Sequence, residues 1–217
     1  MTMNLFDSLV GIESRQEQLG PGATVLRQFA VPEETALLSA SRDVVASAPF
    51  RHMITPGGFR MSVAVTNCGS LGWVTDRTGY RYDPIDPVSG LRWPQMPDVF
   101  LALATRAAAL AGFSGYVPDA CLINRYAAGA RVSLHQDKNE QDFDQPIVSV
   151  SLGIAAIFLF GGLHRADKAI RVKLTHGDVV VWGGPARLRY HGILPIKEDH
   201  HPLVGDHRIN LTFRKAA

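Results

Sequence analysis

The chain has 217 residues, of which 46% are hydrophobic and 19% are charged, and its formal net charge is +2. This length and apolar content predict one well-filled domain over residues 1–217 and exclude a largely disordered chain. No stretch approaches the length of uninterrupted apolar sequence that crosses a bilayer, so no membrane partner is expected. The small net charge neither requires nor excludes a polyanionic partner.

The N-terminal third predicts an arm, a strand and a helix. Residues 1–20 are polar and bounded by glycine, which is typical of a loose arm. Residues 23–29 predict a short strand, and residues 32–48 predict a helix, because Pro32 suits a first helical position and acidic residues follow it. The arm lacks the basic and apolar regions of a secretory signal.

A long irregular region comes next. Residues 49–96 contain many Gly, Pro, Asp and aromatic residues with weak periodicity. Such a segment in a compact domain is often functional, so residues 50–90 are predicted to form a lid over a site. Residues 96–111 predict a second helix, which Gly112 would end.

From residue 119 the pattern changes to short β-rich runs separated by Gly and Pro. Helices followed by many short strands predict a mainly β protein with flanking helices, an antiparallel jelly roll whose core spans 119–214. The strand-like runs are 120–126, 147–152, 156–160, 169–174, 178–182 and 209–213.

The two cysteines, Cys68 and Cys121, do not form a Cys-x-x-Cys pair, so zinc binding through sulfur is not expected. They are interpreted as buried thiols of a reducing compartment, which predicts a cytoplasmic protein.

Three metal-ligand residue types occur in one order. His135 and Asp137 flank Gln136 in a strand-like stretch, so both point to one side and Gln136 points to the other. His191 follows 54 positions after Asp137, just beyond the strand predicted at 178–182. Two imidazoles and one carboxylate on one face of a metal leave positions open, as in the non-heme Fe(II) oxygenases. The alternative is a hydrogen-bonded His–Asp pair with an unrelated histidine.

A second His-x-Asp sequence joins His176 and Asp178. Gly-Asp before a run of valines is typical of a turn that enters a buried strand, so a structural role is favoured there.

The C-terminal run alternates polar and apolar residues. Its polar members, and two more in the strand 120–126, each share one face of their strand. Guanidinium, amide and phenol groups can hold two carboxylates, although a solvated outer face would carry similar residues. These polar residues are Asn124, Tyr126, Arg208, Asn210, Thr212 and Arg214.

Several stretches of this sequence are informative when they are taken together and in their order along the chain. They are 49–58, 61–73, 79–86, 124–126, 135–137, 177–184, 190–192 and 208–214. In combination they resemble the AlkB family of bacterial Fe(II)/2-oxoglutarate-dependent DNA dealkylases, over roughly residues 20–215. The resemblance implies a double-stranded β-helix, or jelly roll, with an N-terminal nucleotide-recognition lid.

The resemblance also implies an activity. Fe(II), 2-oxoglutarate and O2 would oxidise the methyl group of N-alkylated bases such as 1-methyladenine and 3-methylcytosine. Decarboxylation of 2-oxoglutarate would be coupled to methyl hydroxylation and formaldehyde release in DNA repair. The expected partner is alkylated single- or double-stranded DNA, with RNA as a further candidate, and a monomer is expected.

Residue roles follow from the resemblance. His135, Asp137 and His191 would hold Fe(II). Trp73 and His135 would sandwich a flipped base, and Tyr80 would contact the phosphate backbone. The residues implied to hold 2-oxoglutarate are Asn124, Tyr126, Arg208, Asn210 and Arg214. The other residues implied at the substrate are Met61, Arg81, Tyr82, Asn139, Arg165 and Trp182, of which Trp182 could equally be a core residue.

The sequence departs from the family at the base-contacting position. Asn139 stands where the bacterial dealkylase has an aspartate. A neutral amide both donates and accepts hydrogen bonds, whereas a carboxylate only accepts and attracts a cationic base, so the lesion preference could differ. In the lid, Phe59 lacks the hydroxyl of a tyrosine, and Val65 is smaller than the family's methionine.

Two rival functions remain open at this stage. The first is an Fe(II)/2-oxoglutarate hydroxylase that acts on RNA, protein or a small molecule, since the metal and cosubstrate residues would be the same. The aromatic and basic residues of the lid favour nucleic acid over these. The second is a jelly roll that binds metal without turnover, which the paired arginines disfavour.

Overall fold

A computed structural model of the chain describes residues 16–217. Two α-helices and thirteen β-strands are present in this part of the chain. The helices are α1 (Glu34–Ser47) and α2 (Asp98–Leu110). The strands are β1 (Gln16–Gly20), β2 (Ala23–Leu26), β3 (Ala64–Gly69), β4 (Gly72–Asp76), β5 (Gly79–Asp83), β6 (Ala120–Tyr126), β7 (Val132–His135), β8 (Ile147–Gly153), β9 (Ala156–Phe160), β10 (Ile170–Leu174), β11 (Val179–Trp182), β12 (His191–Ile193) and β13 (Arg208–Arg214).

Two antiparallel sheets form the body of the protein. The major sheet has seven strands in the order β1-β2-β11-β8-β13-β6-β3, and the minor sheet has four in the order β10-β9-β12-β7. Strands adjacent in space are mostly distant in sequence, as in a jelly roll. The fold class predicted from the sequence, mainly β with flanking helices, is confirmed.

Both helices pack on the major sheet. In α2 the buried residues recur at Phe100, Leu103, Ala104, Ala107 and Ala108, which is the spacing of one apolar helix face. This face joins residues of β6, β8, β11 and β13 in one hydrophobic cluster. The helices therefore cover the outer face of the major sheet and leave its inner face for the site.

A second hydrophobic cluster fills the space on the inner side. It combines residues of the major sheet, such as Val180 and Trp182, with Phe158, Phe160 and Ile193 of the minor sheet. The metal-ligand residues lie at the rim of this core, because β7 ends and β12 begins beside it.

The predicted lid contains regular structure that weak periodicity hid. Strand β3 adds to the edge of the major sheet, and β4 and β5 form a separate two-stranded hairpin. Gly79 begins β5 with φ of +141°, a backbone conformation that favours glycine. The lid is thus a hairpin held beside the major sheet.

The bounds of several helices and strands in the structure differ from those predicted from the sequence. The helix predicted at 32–48 begins with a 3-10 turn, Val31–Glu33, before α1. The strand predicted at 23–29 ends at Leu26, because the chain turns at Gln28, which has φ of +54°. At residues 16–20 the structure has the edge strand β1 where a loose arm was predicted, and an ion pair between Arg27 and Glu17 ties it to the chain after β2. Residues 1–15 of that arm lie outside the described residues.

Both cysteines are free and buried, as predicted. They face each other directly across β3 and β6. Within residues 16–217, no helix is long and apolar enough to span a membrane.

Candidate metal centre

The pairing of β7 with β12 brings the distant histidine to the His-x-Asp sequence. His191 begins β12 and lies opposite His135, the last residue of β7. Asp137 follows two residues later, and Gln136 between them turns away to donate from Nε2 to the backbone oxygen of Leu188 at 2.6 Å. The alternation predicted from the sequence is therefore confirmed.

His135, Asp137 and His191 converge. One ligand atom from each lies within 4.8 Å of the other two. Nε2 of His135 is 3.6 Å from one carboxylate oxygen of Asp137, and Nε2 of His191 is 3.7 Å from the other. The interpretation of an unrelated third histidine is wrong, because His191 brings a ligand atom to the same point as His135 and Asp137.

Hydrogen bonds at the other ring nitrogen orient both imidazoles. Nδ1 of His135 lies 2.9 Å from the backbone oxygen of Ser133, and Nδ1 of His191 lies 3.1 Å from that of Arg189. A carbonyl oxygen only accepts, so each Nδ1 carries the proton and each Nε2 keeps a lone pair for a metal.

The charges of the site keep the ligands in their metal-binding forms. Burial lowers the pKa of His191 to about 3, and the neighbouring His135 adds to this, so His191 is neutral at pH 7. Burial alone would raise the pKa of Asp137, but Arg214 and the two histidines hold it well below its usual range. Two imidazole nitrogens and one carboxylate are the donor set that suits Fe(II).

Arg214 pairs directly with the metal-ligand carboxylate. Its Nη2 and Nε donate to one oxygen of Asp137 at 2.6 and 2.9 Å. Burial would lower the pKa of Arg214, yet Asp137, Tyr82 and Glu140 raise it well above its usual value. Arg214 therefore links the inner face of β13 to the metal ligand Asp137.

The other residues predicted to bind the cosubstrate lie together on the neighbouring part of the inner face of the major sheet. Register places Tyr126 opposite Arg208 and Asn124 opposite Asn210. Nδ2 of Asn124 donates to Oδ1 of Asn210 at 3.1 Å, and Nδ2 of Asn210 donates to Oγ of Ser149 at 2.8 Å. These side chains are buried, which excludes the solvated outer face.

Arg208 is a buried cation with spare donors. It is 1% exposed, its Nη2 donates to Oγ of Ser151 at 3.0 Å, and its guanidinium lies 4.9 Å above the ring of Tyr126. Within the described part of the chain, its Nε and Nη1 have no hydrogen-bond partner. Burial lowers its pKa. A buried cation of this kind calls for an anion, and a carboxylate of 2-oxoglutarate fits both free donors.

One face of the lid hairpin is aromatic. Trp73 lies opposite Tyr82 in the β4–β5 register, and Trp73 stacks on Tyr80 with ring centroids 5.7 Å apart. Tyr82 donates from its hydroxyl to Oε1 of Glu140 at 2.6 Å, and burial raises its pKa well above the usual value. The aromatic face therefore meets the segment that follows Asp137.

Arg81 is the lid residue that the structure does not bring to this face. It alternates with Tyr80 and Tyr82, and its Nη1 donates to Oδ2 of Asp76 at 2.9 Å. A second carboxylate, of Asp83, lies 3.6 Å from its Nε. Alternation along β5 thus turns Arg81 to the opposite side from Trp73.

The remaining predicted substrate residues lie at different depths. Trp182 is 2% exposed and packs edge-on against His191 at 4.9 Å, so it is a core residue beneath a metal ligand. Met61 is half-buried and packs against the inner core together with Trp73. Asn139 is exposed in the segment after Asp137, and Arg165 is exposed in the loop after β9, whose last residue, Phe160, pairs with His191.

The second His-x-Asp sequence is structural, as predicted. Both oxygens of Asp178 accept hydrogen bonds, including one from Nη1 of Arg27 at 2.8 Å. Nδ1 of His176 accepts from the backbone of Gly153, and its Nε2 lies 2.8 Å from Glu34. These contacts hold the turn before β11 against β2 and α1.

Sequence reasoning missed two buried charges beside the metal ligands. Glu140 and Arg187 are 6% and 3% exposed, and they pair at 3.1 Å. Charged residues in irregular segments resemble surface residues in a sequence, and the position of Glu140 three residues after Asp137 was the available signal. Ser149 and Ser151, at alternate positions of β8, were also missed, because small hydroxyl residues within an apolar strand give no signal of a binding site.

Comparisons with known proteins agree with this geometry. Residues 22–214 match the model of the 2OG-Fe(II) oxygenase superfamily. The chain is 57% identical over 212 residues to the alpha-ketoglutarate-dependent dioxygenase AlkB of Escherichia coli, covering 98% of each chain. It is 32% identical over 123 residues to the nucleic acid dioxygenase ALKBH1 of Mus musculus, covering 57% of this chain and 31% of that one.

A solved structure, that of OsALKBH1, superimposes with a TM-score of 0.79 at 28% identity, covering 92% of this chain and 99% of that one. The chain therefore belongs to the 2OG-Fe(II) oxygenase superfamily and, within it, to the AlkB family of 2-oxoglutarate-dependent dioxygenases, with Fe(II) and 2-oxoglutarate as its cofactors.

Proposed function

We propose that this dioxygenase demethylates N-alkylated bases in DNA, with 1-methyladenine and 3-methylcytosine as the lesion type. The observation that carries the proposal is the aromatic face of the β4–β5 hairpin beside the His135–Asp137–His191 cluster. The names of the relatives support a nucleic acid substrate, since one is called a nucleic acid dioxygenase.

The chemistry divides between the cofactors and the chain. Fe(II), 2-oxoglutarate and O2 together supply an oxidant that hydroxylates the N-methyl carbon, with succinate and CO2 as coproducts and formaldehyde released from the hydroxymethyl base. His135, Asp137 and His191 would hold the metal, and Arg208, whose Nε and Nη1 have no partner among residues 16–217, would receive a carboxylate of 2-oxoglutarate. Asn124, Tyr126, Asn210 and Arg214 complete the cosubstrate site.

The protein is proposed to position the methylated base next to the metal. A base must leave the helix stack to reach the metal, at a cost of a few kcal/mol that is least for single strands and weakened pairs. Trp73 on the lid and His135 on β7 are proposed to hold the flipped base between them. Tyr80, which is 47% exposed, is proposed to contact the phosphate backbone. Met61 and Trp182 shape the site from the core side, and Arg165 and Asn139 lie at its rim.

Tyr82 and Arg81 take modified roles in this proposal. Tyr82 acts through its hydrogen bond to Glu140, beside the base and not by contacting phosphate. Arg81 braces the hairpin through Asp76 and Asp83 from the other side.

A monomer is proposed because the metal ligands, Arg208 and the lid hairpin all come from one chain. A reducing compartment such as the cytoplasm suits the two free cysteines, Cys68 and Cys121. DNA is proposed as the main polymer and RNA as a second substrate.

A lesion panel tests the function. The full chain with Fe(II) and 2-oxoglutarate is given 1-methyladenine, 3-methylcytosine and 1-methylguanine in single- and double-stranded DNA and RNA. Mass spectrometry of the bases, with formaldehyde and succinate, should show demethylation in DNA that stops in His191→Ala. Succinate release without demethylation of any oligonucleotide would reject nucleic acid and favour a protein or small-molecule hydroxylase.

A further inference from the structure

Arg187 is a buried arginine between the two chain segments that carry the metal ligands. It ends the 3-10 turn Gly184–Ala186, four residues before His191. Its side chain is only 3% exposed and extends to the segment that follows Asp137.

All three nitrogen atoms of its guanidinium donate hydrogen bonds to that segment. Nη1 donates to the backbone oxygen of Asp137 at 2.8 Å, Nη2 donates to Oε2 of Glu140 at 3.1 Å, and Nε donates to the backbone oxygen of Gln145 at 3.1 Å. The guanidinium also lies 5.3 Å from the ring centroid of Phe143.

The segment needs such support because it is irregular. Residues 136–146 form neither helix nor strand between β7 and β8, so ladder hydrogen bonds do not fix Asp137 as they fix His135 and His191. One further bond, from Gln136 Nε2 to the oxygen of Leu188, joins the same two segments. The backbone of Asp137 is therefore held against the turn that leads to His191.

Glu140 completes the arrangement as a shared acceptor. It is buried and accepts from Tyr82 of the lid as well as from Arg187. Nε of Arg214, which pairs with Asp137, lies 3.4 Å from Oε1 of Glu140. The carboxylate of Glu140 thereby balances the charge of Arg187. It also keeps the guanidinium of Arg187 directed at the backbone oxygen of Asp137.

We infer that Arg187 is a positioning residue that sets Asp137 relative to His191 and so determines metal affinity. Groups that orient metal ligands typically change metal affinity or activity about 10- to 100-fold when they are removed. The inference rests on the proposed metal site but not on the nature of the methylated substrate.

Metal binding to the full chain, without nucleic acid or 2-oxoglutarate, tests this. The metal-free protein is titrated with Co(II), an air-stable stand-in for Fe(II), by calorimetry. Arg187→Met should weaken Co(II) binding by about tenfold or more. Arg187→Lys keeps the charge but cannot make three directed bonds, so it should fall between Arg187→Met and the wild type.

Arg27→Met is the matched control. Arg27 also bridges separate strands, through Glu17, Lys173 and Asp178, none of which is a metal ligand. It should lower the melting temperature while leaving the Co(II) affinity within twofold of the wild type. In Arg187→Met with saturating Fe(II), the KM for 2-oxoglutarate should stay within twofold, because Arg187 bonds to neither Arg208 nor Arg214.

An unchanged Co(II) affinity in a folded Arg187→Met protein would overturn the inference and leave Arg187 a purely structural residue. If that variant does not fold, Glu140→Gln replaces it, because the amide keeps the volume and removes the charge that aims Arg187. The same loss of Co(II) affinity is then expected, and a wild-type affinity would reject the role. A wild-type protein that binds Co(II) but demethylates nothing would refute the proposed substrate and not this inference.

Discussion

At the scale of single residues, Arg208 and Arg214 show how one strand creates two different electrostatic environments. Both point inward from β13, but Arg214 pairs with Asp137 whereas Arg208 keeps two nitrogen atoms without a partner among residues 16–217. The two arginines are equivalent by alternation along the strand. Their neighbours on β6, β8 and the segment after β7 make them different.

We predict that Arg208→Ala and Arg214→Ala both raise the KM for 2-oxoglutarate by about tenfold or more, because a charge-assisted hydrogen bond contributes roughly 1.5–3 kcal/mol. Arg214→Ala should in addition change the affinity for Fe(II), since Asp137 loses its partner. Steady-state kinetics at varied 2-oxoglutarate and varied Fe(II) separate the two effects. Arg106→Ala, on a surface ion pair with Glu33, is the control. Unchanged 2-oxoglutarate dependence in both variants would remove the anchoring role.

Asn139 is predicted to relax the preference for cationic bases. A nearby carboxylate attracts a positively charged ring, and a neutral amide does not. Asn139→Asp should therefore raise kcat/KM for 1-methyladenine and 3-methylcytosine relative to neutral 1-methylguanine. The change should be modest, because position 139 is exposed and solvent screens the charge of an aspartate introduced there. Identical lesion ratios in the two proteins would show that this position does not select the substrate.

At the scale of elements, the β4–β5 hairpin is a separate two-stranded sheet beside the jelly roll. An isolated hairpin is marginal in water, so this one depends on its contacts with the body. The side chain of Asn67, on β3, accepts from the backbone nitrogen of Trp73 and donates to its oxygen, both at 3.0 Å. Tyr82 ties the other strand to Glu140. The hairpin is thereby presented with its aromatic face toward the site.

We predict that Trp73→Ala weakens binding of a methylated oligonucleotide by roughly 5- to 150-fold, since stacking of a base on an aromatic side chain contributes about 1–3 kcal/mol. Decarboxylation of 2-oxoglutarate in the absence of a base should stay near the wild-type rate, because the metal ligands are on other strands. Fluorescence anisotropy and succinate release measure the two quantities. Trp73→Phe keeps an aromatic ring and should retain most of the affinity. Parallel loss of both quantities in Trp73→Ala would instead indicate a structural tryptophan.

At the scale of the whole molecule, the site joins parts of the chain that are far apart in sequence and belong to different sheets. His135 and His191 lie on the minor sheet, whereas Arg208 lies on the major sheet. The metal and cosubstrate sites proposed for this chain would therefore lie between the two sheets. A ligand that bridges both sheets in the folded state, and does not bind the unfolded chain, must stabilise the fold.

We predict that Fe(II) with 2-oxoglutarate, each at about 100 times its Kd, adds at least about 2.7 kcal/mol to the free energy of unfolding. For a chain of this size that corresponds to a rise of roughly 5–10 °C in melting temperature. Anaerobic calorimetry with and without the ligands measures it, and Arg208→Ala should reduce the 2-oxoglutarate-dependent part. A melting temperature that does not respond to the ligands would contradict a site spanning both sheets.

The sequence by itself determined the class of the fold and most of the metal site. Short apolar runs separated by Gly and Pro report strands directly, because the side-chain period of two and the turn residues are local properties. The same period put His135 and Asp137 on one face and Gln136 on the other. Residue order and alternation also made His191 and the polar face of β13 candidates, and the resemblance to a known family assigned them to Fe(II) and 2-oxoglutarate.

Only the tertiary structure decided how these local pieces meet. The pairing of β12 with β7 placed His191 opposite His135, and the register of β6, β8 and β13 buried Arg208 with no carboxylate partner among residues 16–217. The burial of Glu140 and Arg187, the strands hidden in the lid and the turning away of Arg81 also appear only there. The physical reason is that pairing register and desolvation depend on contacts between residues far apart in sequence, whereas periodicity depends on neighbours alone.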